Sequence, residues 1–225
     1  MKVAALYVET GGAYFGLDDV EPWDEARDAR LYAGPWPVVA HPPCNRWSTM
    51  AGMIETRFGH RRGDDGGCFA AALSAVRRFG GVLEHPAHSH AWRHFGLPIP
   101  GRGGGWTHRL DDPGASCWVD QGWYGHTMKK PTWLYAAGVE PLPMLRWGRG
   151  PGRTLPHRDP TLSGSERKRL LIPTPVAFRD ELLAMARAAL PSFDVLPDHS
   201  CSLTSSQPTR NRVEAVAVDG LAALS

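Results

Sequence analysis

The stretch Val38–Cys44, which reads VVAHPPC, decides how the chain is interpreted. Its first three residues form a short apolar run, which is typical of a strand buried on both faces. Pro42 and Pro43 follow closely, and because proline has no amide hydrogen to donate to a ladder, the strand must end before them. Cys44 is therefore expected on a loop just past the carboxyl end of a buried strand, where open α/β sheets bind ligands.

An earlier apolar run, Lys2–Val8, predicts a buried first strand. It leads to Gly11 and Gly12, which favour a sharp turn of the kind that opens a βα unit. The acidic stretch 18–28 has no clear periodicity, so we expect it to be irregular. The strands at 2–8 and 38–40 would thus carry loops at the same edge of a sheet.

The region after Cys44 repeats the order of helix, strand and polar loop. Apolar residues at helical spacing predict an amphipathic helix over 65–79, and residues 82–83 begin the next buried strand. The tripeptide Glu84-His85-Pro86 then sets a carboxyl group against a proline at the end of that strand. A second polar loop is therefore expected next to the one that carries the cysteine.

The later part of the chain supplies further strands and a closing helix. Segments 116–121 and 132–136 have the composition of strands, whereas the glycine-rich stretch 98–114 is expected to be a loop. Thr174 is the expected N-cap of a closing helix, with Pro175 in its first turn.

Strands that alternate with helices predict an α/β fold, in the form of a reduced doubly wound, Rossmann-like, mostly parallel sheet with loop-rich insertions. A chain of 225 residues supports one well-filled core. We therefore predict a single domain over 1–190, followed over 191–225 by a polar, unpatterned tail that is a candidate for disorder.

Charge and cysteine content limit the possible functions and cellular locations only slightly. The net charge is +2, which does not by itself indicate a nucleic-acid binder. Most of the 25 basic residues are arginine, which suits phosphates and base edges, although a GC-rich genome explains the same bias. The four cysteines form no CxxC pair, and neither a signal segment nor a long apolar run is found. These features predict a cytoplasmic protein with reduced thiols and no membrane span.

Three pieces of the chain, in this order, resemble motifs of cytosine carbon-5 DNA methyltransferases. Pro43-Cys44 is similar to the family's proline–cysteine motif, and Glu84-His85-Pro86 to its glutamate–asparagine–valine motif. Tyr124-Gly125, with the basic cluster and strand that follow, is similar to its glutamine–arginine motif. The stretch 41–135 also resembles short phage and prophage proteins described as methyltransferase-like. The resemblance implies a methyltransferase-type fold and a transferase that acts on carbon-5 of a pyrimidine, in a bacterial host or a phage-infected cell.

The resemblance also implies catalytic roles. Cys44 would be the nucleophile that adds to the ring carbon next to carbon-5. Glu84 would hold the ring and share a proton with it, for which its pKa must be raised, and Lys130 would steady the developing negative charge. Because the thiolate is the reactive form, Arg46, His41 or a helix terminus would have to lower the pKa of the cysteine.

The remaining candidates would bind the substrate or the methyl donor. The substrate-binding candidates are Pro43, Arg46, His85, Tyr124, His126 and Lys129. The implied donor is S-adenosylmethionine, with Gly11 and Gly12 as candidates to bind it. About thirty residues separate this turn from the cysteine, which is short for a second strand, its acidic residue and the crossovers, so we expect a truncated donor site. The substrate would be DNA with a flipped or single-stranded base, or a free pyrimidine nucleotide, and the oligomeric state is not indicated.

Other interpretations stay open. In the simplest one, Cys44 is a small apolar core residue and Glu84 pairs with an arginine. A non-catalytic nucleic-acid-binding or decoy module with the same fold would explain the arginines and the tryptophans in loops. A metal-dependent hydrolase could be built on four histidines, although no cysteine or carboxylate completes a familiar spacing and no metal ligand is assigned. The histidines are His85, His88, His90 and His94.

Overall fold

A seven-stranded sheet runs through the part of the chain that the computed structural model describes, residues 1–154 and 161–190. The strands are β1 (Val3–Leu6), β2 (Val20–Trp23), β3 (Val38–Ala40), β4 (Gly81–Pro86), β5 (Trp106–His108), β6 (Gly114–Asp120) and β7 (Pro131–Ala137). The helices are α1 (Ala51–Phe58), α2 (Cys68–Phe79), α3 (His90–His94), α4 (Gly164–Leu171) and α5 (Val176–Ala188), with 3₁₀ turns at Ala29–Leu31 and Gln121–Tyr124. The predicted α/β class is confirmed.

The sheet has a parallel half and an antiparallel half. Its strand order is β2-β1-β3-β4-β7-β6-β5, and the ladders among β1, β2, β3 and β4 are parallel. The prediction of a mostly parallel sheet therefore holds for these core strands only. The ladders that join β4, β7, β6 and β5 are antiparallel. Residues 121–130 alone separate β6 from β7, which is too short for the crossover that parallel neighbours need. The second half is therefore a meander that docks its last strand onto β4.

Helices cover both faces of the sheet, and alternate strand residues serve two cores. Val39 and Val82 belong to the core that includes α5, whereas Val38 and Leu83 belong to the core that includes α2. Burial on both faces explains why the central strands read as continuous apolar runs. It also fixes the register of β3 against β4, on which the positions of their polar ends depend.

Two segments that were expected to be irregular contain edge strands. β2 lies within the acidic stretch 18–28, and β5 lies within the glycine-rich stretch 98–114. In β2 only Val20 is buried, and Pro22 is tolerated because an edge strand needs few ladder donors. A short strand with so little buried surface shows no apolar period in the sequence.

Helix positions differ from expectation in several places. The predicted amphipathic helix begins at Cys68, because the carboxylate of Asp65 accepts two backbone N–H bonds just before and within its first turn. The closing helix begins at Val176 with Pro175 as its N-cap residue, so the prediction that Thr174 caps it was wrong. Neither α1 nor α4 was predicted.

Within the described ranges, no helix combines the length and the apolar character that a membrane crossing requires. The predicted tail over 191–225 lies outside the described residues. The domain boundary at residue 190 therefore stays a prediction.

Gly81 permits the close contact of β4 with β3. Its φ is +125°, and a Cβ atom at this position would overlap the backbone of Val38. Gly81→Ala is expected to lower the free energy of unfolding by at least about 2 kcal/mol, and the melting temperature by several degrees, because strain and overlap add. Thermal and urea unfolding measure this loss.

Gly101→Ala is the matched control, because its φ is ordinary and no atom lies within 4 Å of the added Cβ. Its stability is expected to stay within about 0.5 kcal/mol of the wild type. Equal stability of the two variants would contradict the assigned packing of β3 on β4.

Candidate functional site

The loops that follow β1, β3 and β4 line a cleft of about 600 Å³ at one edge of the sheet. We call it the thiol cleft, and its lining includes Tyr14, His41, Cys44, Glu84, Lys130 and Thr174. The strand order reverses between β1 and β3, with β2 on one side and β4 on the other. Such a switch point is where doubly wound sheets bind ligands.

Cys44 and Glu84 are far apart in sequence and line the same cleft. The cysteine follows β3, the glutamate lies in β4, and the parallel ladder that pairs Ala40 with Leu83 brings the ends of these strands level. Lys130 reaches the same edge from the opposite direction. Because β7 is antiparallel to β4, the residue just before β7 lies beside the carboxyl end of β4.

The Glu84 carboxylate is the centre of a chain of hydrogen bonds. Its Oε2 accepts a bond from His41 Nδ1 at 2.9 Å, and its Oε1 accepts one from Gln121 Nε2 at 3.2 Å. Gln121 Nε2 also donates to Thr132 Oγ1 at 3.0 Å, and the Tyr14 hydroxyl lies 2.8 Å from His41 Nε2. Since an ionised carboxylate can only accept, His41 carries a proton on Nδ1.

This network decides the protonation of the carboxylate. Burial raises the pKa of Glu84, but the hydrogen bond and charge of His41, helped by the charge of Lys130, outweigh it and hold that pKa well below its usual range. Burial also raises the pKa of Tyr14 well above its usual value, so its hydroxyl keeps its proton beside the ring of His41. The expectation that Glu84 has a raised pKa was wrong, and its side chain is an acceptor.

The Cys44 thiol is not poised as a thiolate. Its side chain is exposed along the cleft, but the surrounding protein desolvates the thiolate and raises its pKa, and the charge of Glu84 raises it further against the opposing effect of Lys130. The expected activation was wrong: both nitrogens of His41 are engaged, Arg46 does not line the cleft, and α1 begins only at Ala51, seven residues after Cys44.

Lys130 contributes both charge and structure to the site. Its Nζ donates hydrogen bonds to the carbonyl oxygens of Ile172 at 3.0 Å and Pro173 at 3.4 Å. Burial lowers the pKa of Lys130, while the charges of Glu84 and Cys44 raise it. The ammonium therefore ties the segment between α4 and α5 to the wall of the cleft, close to both reactive groups.

Three of the predicted substrate-binding residues, Pro43, Lys129 and His85, also line the cleft, but His85 is packed as a core residue. Its ring is only 1% exposed and lies 5.2 Å from the ring of Phe69 and 6.2 Å from that of Trp92, between centroids. Neither ring nitrogen has a hydrogen-bond partner among the described residues, and burial lowers the pKa of His85 to about 4. The ring is therefore neutral near pH 7 and serves as part of the floor.

Besides Arg46, two of the predicted substrate-binding residues, Tyr124 and His126, lie outside the cleft. The hydroxyl of Tyr124 accepts the backbone N–H of Arg146, and its ring packs on Phe178 in the core. The ring of His126 is buried and hydrogen-bonded through Nδ1 to the backbone of Met128. Both residues stabilise the turn before β7, which carries the two lysines, and do not line the cleft.

The glycines of the first turn also lie outside the lining. Gly11 and Gly12 form the turn after β1, where the N–H of Gly12 donates to the carbonyl of Glu9 at 2.9 Å. Glu9 and Ala13, on either side of this turn, do line the cleft. The glycines therefore shape the loop without lining the cavity.

The residues near β2 do not fit the implied methyl donor. The second strand exists, contrary to the expectation from spacing, and Asp24 follows it where an acidic residue would bind a ribose. However, its carboxylate accepts bonds from the Thr10 hydroxyl at 2.7 Å and the Ala26 backbone at 3.1 Å, and it does not line the cleft. Between β1 and β2 the chain forms turns without a helix. The residues at the expected donor site therefore do not fit S-adenosylmethionine.

Three of the four clustered histidines, His85, His88 and His94, pack against aromatic rings. The ring of His88 lies 5.4 Å from Trp118 and 5.2 Å from Trp133, and that of His94 lies 5.1 Å from Trp47. Across residues 1–154 and 161–190, no three His, Cys, Asp or Glu side chains are grouped so that they could hold a metal ion. The geometry therefore gives no support to the hydrolase alternative.

Several members of the network were not predicted from the sequence. His41 was considered only as a neighbour of the thiol, although it follows a strand end just as Glu84 closes one. Gln121 and Thr132 lie at facing ends of β6 and β7, and a polar residue at each strand end is a signal that could have been read. Tyr14 has no such signal, because its contact with His41 depends on the path of the loop after β1.

Comparison with known proteins assigns the cleft to no family: no family model matches the chain, and no curated protein matches it either. The function is therefore inferred from the geometry and charge of the cleft.

Glu84→Gln is expected to remove a pH-dependent part of the stability. Because the pKa of Glu84 is lowered in the folded state, its ionised form stabilises the fold above about pH 4.5, and this contribution is lost as the pH falls toward the folded pKa. Urea unfolding between about pH 7 and pH 2.5 should show a steeper loss of stability for the wild type than for the variant.

Glu25→Gln, at an exposed position, is the control and is expected to follow the wild type. If the curves of wild type and Glu84→Gln stay parallel across the whole range, the assigned protonation of Glu84 is wrong.

Proposed function

We propose that the chain modifies carbon-5 of a pyrimidine ring, with Cys44 as nucleophile and Glu84 as the group that holds the ring. One observation carries the proposal: a thiol, an ionised carboxylate and the Lys130 ammonium, from three separate strand ends, line one cleft. A volume of about 600 Å³ is in the usual range for a site that takes a small molecule or a base. The substrate is DNA with a flipped or single-stranded base, or a free pyrimidine nucleotide.

We propose also that the sheet is of the methyltransferase type. A reduced doubly wound, Rossmann-like sheet of the methyltransferase type is supported by the order β2-β1-β3-β4, by the reversal between β1 and β3, and by helices on both faces. The antiparallel half then supplies the lysines from the start of β7.

The carboxylate favours cytosine over uracil. An ionised glutamate accepts a hydrogen bond from the exocyclic amino group of cytosine, whereas a 4-oxo pyrimidine presents an acceptor oxygen at that position. His41 and Gln121 each occupy one lone pair of Glu84, so further acceptor sites on the carboxylate stay open for a ligand. The two partners also hold the carboxylate in one orientation, which saves the cost of ordering it when the ring binds.

The addition step needs the thiol to lose its proton to solvent, to which Cys44 is exposed. The sulfur then forms a bond to ring carbon-6, and the electron pair of the C5=C6 bond moves to carbon-5, with negative charge spread over the ring near Lys130. Carbon-5 then forms a bond to a carbon electrophile, whose leaving group departs with the electrons of the broken bond. Alternatively, carbon-5 takes a proton from water. Loss of the original hydrogen from carbon-5 as a proton and cleavage of the C–S bond restore the aromatic ring and the thiolate.

This chemistry predicts exchange of the carbon-5 hydrogen of cytosine with solvent in the absence of any donor. We expect mass spectrometry to detect deuterium at carbon-5 after incubation in D₂O with deoxycytidine 5′-monophosphate or with a single-stranded oligonucleotide that contains cytosine. Because the pKa of the Cys44 thiol is raised, the rate should keep increasing with pH up to about pH 9.

Cys44→Ser is expected to slow this exchange by at least about 100-fold, since an alcohol is a far weaker nucleophile than a thiol. Cys68→Ser is the matched control, as Cys68 is a half-buried thiol outside the cleft, and it should keep the wild-type rate. Absence of exchange on both substrates, or an equal rate in Cys44→Ser, would refute the proposal.

A second candidate function is a non-catalytic nucleic-acid-binding module. The raised pKa of Cys44 and the engaged carboxylate of Asp24 favour it, since neither group is prepared for transfer chemistry. This candidate requires salt-dependent binding of DNA that Cys44→Ala and Glu84→Gln leave unchanged, together with no exchange at carbon-5.

The implied methyl donor can be tested by thermal unfolding. A ligand at about 100 times its dissociation constant adds about 2.7 kcal/mol to the free energy of unfolding, which raises the melting temperature by several degrees. Because Asp24 does not line the cleft and no helix lies between β1 and β2, S-adenosylmethionine is expected to give no such increase. A clear increase would show that the donor binds in another way and would reopen methyl transfer as the reaction.

A further inference from the structure

A second depression of about 520 Å³, which we call the basic pocket, opens beside the thiol cleft. Its lining includes His88, Arg102, Trp118, Asp120, Lys129 and Arg149. Lys129 and Pro131 line both cavities, so the two meet at the loop that leads into β7. A ligand in the thiol cleft that extends past this loop would enter the basic pocket.

Three exposed cations converge on the pocket from separate parts of the chain. Arg102 precedes β5, Lys129 precedes β7, and Arg149 lies beyond β7. None of them forms an ion pair within the part of the chain that the structure describes, whereas six other arginines there pair with carboxylates: Arg27, Arg30, Arg77, Arg109, Arg179 and Arg187. Like charges brought together in this way repel one another, and a bound anion relieves that repulsion.

The carboxylate in the lining does not neutralise these cations. Asp120 is only 4% exposed, and its Oδ1 accepts the backbone N–H groups of Gly122 at 3.0 Å and Lys130 at 3.2 Å. These bonds hold the turn between β6 and β7, and the single negative charge of Asp120 offsets only one of the three cations. The open side of the pocket stays positive.

One wall of the pocket is aromatic. The guanidinium of Arg102 lies 5.9 Å from the ring centre of Trp118, and the ring of His88 meets that of Trp118 at 5.4 Å, edge to face. His88 has φ +65°, a left-handed conformation that is uncommon for residues other than glycine and is often found at functional sites. Cations beside an aromatic surface suit the phosphate and the sugar or base of a nucleotide.

We propose that the basic pocket binds a phosphate group of the molecule whose pyrimidine occupies the thiol cleft. This inference rests on the proposed function. The planar guanidinium groups of Arg102 and Arg149 match phosphate oxygens in geometry, and Lys129 adds a point charge where the two cavities meet. The 5′-phosphate of a free nucleotide and the phosphodiester of a single strand both carry this chemistry.

The test is equilibrium binding of two ligands, deoxycytidine 5′-monophosphate and a single-stranded oligonucleotide that contains one cytosine. The double variant Arg102→Ala/Arg149→Ala is expected to bind at least one of them about 10-fold more weakly than the wild type. For the oligonucleotide, the slope of log affinity against log salt should become shallower by about 1.4, since two phosphate contacts are lost.

Two further variants distinguish loss of phosphate binding in the basic pocket from a general effect of removing surface arginines. Arg102→Lys/Arg149→Lys keeps both charges and is expected to recover most of the lost affinity. Arg93→Ala removes an exposed arginine that lines neither cavity, and it should bind both ligands as the wild type does. A loss for the oligonucleotide alone assigns the pocket to a phosphodiester, and a loss that includes the mononucleotide assigns it to a terminal phosphate as well.

The inference is overturned if both ligands bind the double alanine variant within about two-fold of the wild type. It is also overturned if Arg93→Ala causes an equal loss, or if the wild type binds neither ligand. Failure of the proposed function gives a different result: the wild type then shows no exchange at carbon-5, while phosphate binding still depends on the two arginines.

Discussion

The hydrogen bond between His41 and Glu84 joins the ends of two neighbouring parallel strands in a nearly dry site, and the arrangement of the cleft depends on it. Glu84 is 9% exposed, and a charge so far from water persists only when protein groups replace its hydration. If one partner of a buried pair is removed, the remaining charge is uncompensated, which typically costs about 3 to 5 kcal/mol. The same contact orients the ring of His41, whose second nitrogen lies beside the Tyr14 hydroxyl, and it holds the carboxylate in one orientation.

In the proposed reaction, the charge of Glu84 opposes the ionisation of the Cys44 thiol. The ionised Glu84 that is suited to hold an amino group also disfavours the thiolate of Cys44, and Lys130 offsets this only in part. A bound ring whose amino group donates a hydrogen bond to the carboxylate would weaken the negative field of Glu84 at the sulfur. The cleft would then favour the reactive form of the nucleophile most when the ring is in place, and an empty site would keep its thiol protonated and less open to oxidation.

The sequence was informative where burial imposes a pattern and less so where contacts are long-range. The apolar runs of β1, β3 and β4 are buried on both faces, so their positions and the polar residues at their ends were predictable. This reasoning placed the thiol and the carboxylate at strand ends on one edge, whereas the lysine was a candidate only through the resemblance to the methyltransferase motifs. In contrast, β2 and β5 bury too few side chains to leave an alternating apolar pattern in the sequence. The pKa values of Cys44 and Glu84 depend on partners that only the fold brings near, and Tyr124 and His126 match a motif yet serve packing.

The two outer strands also bear on how this molecule behaves at high concentration. β2 and β5 are four and three residues long, and Pro22 removes one of the amide hydrogens that an incoming strand would use. Short, interrupted borders are poor templates for strand addition, so the sheet is not easily extended by a second chain into a fibre. Because the central sheet is so apolar, these short edge strands protect the protein against aggregation.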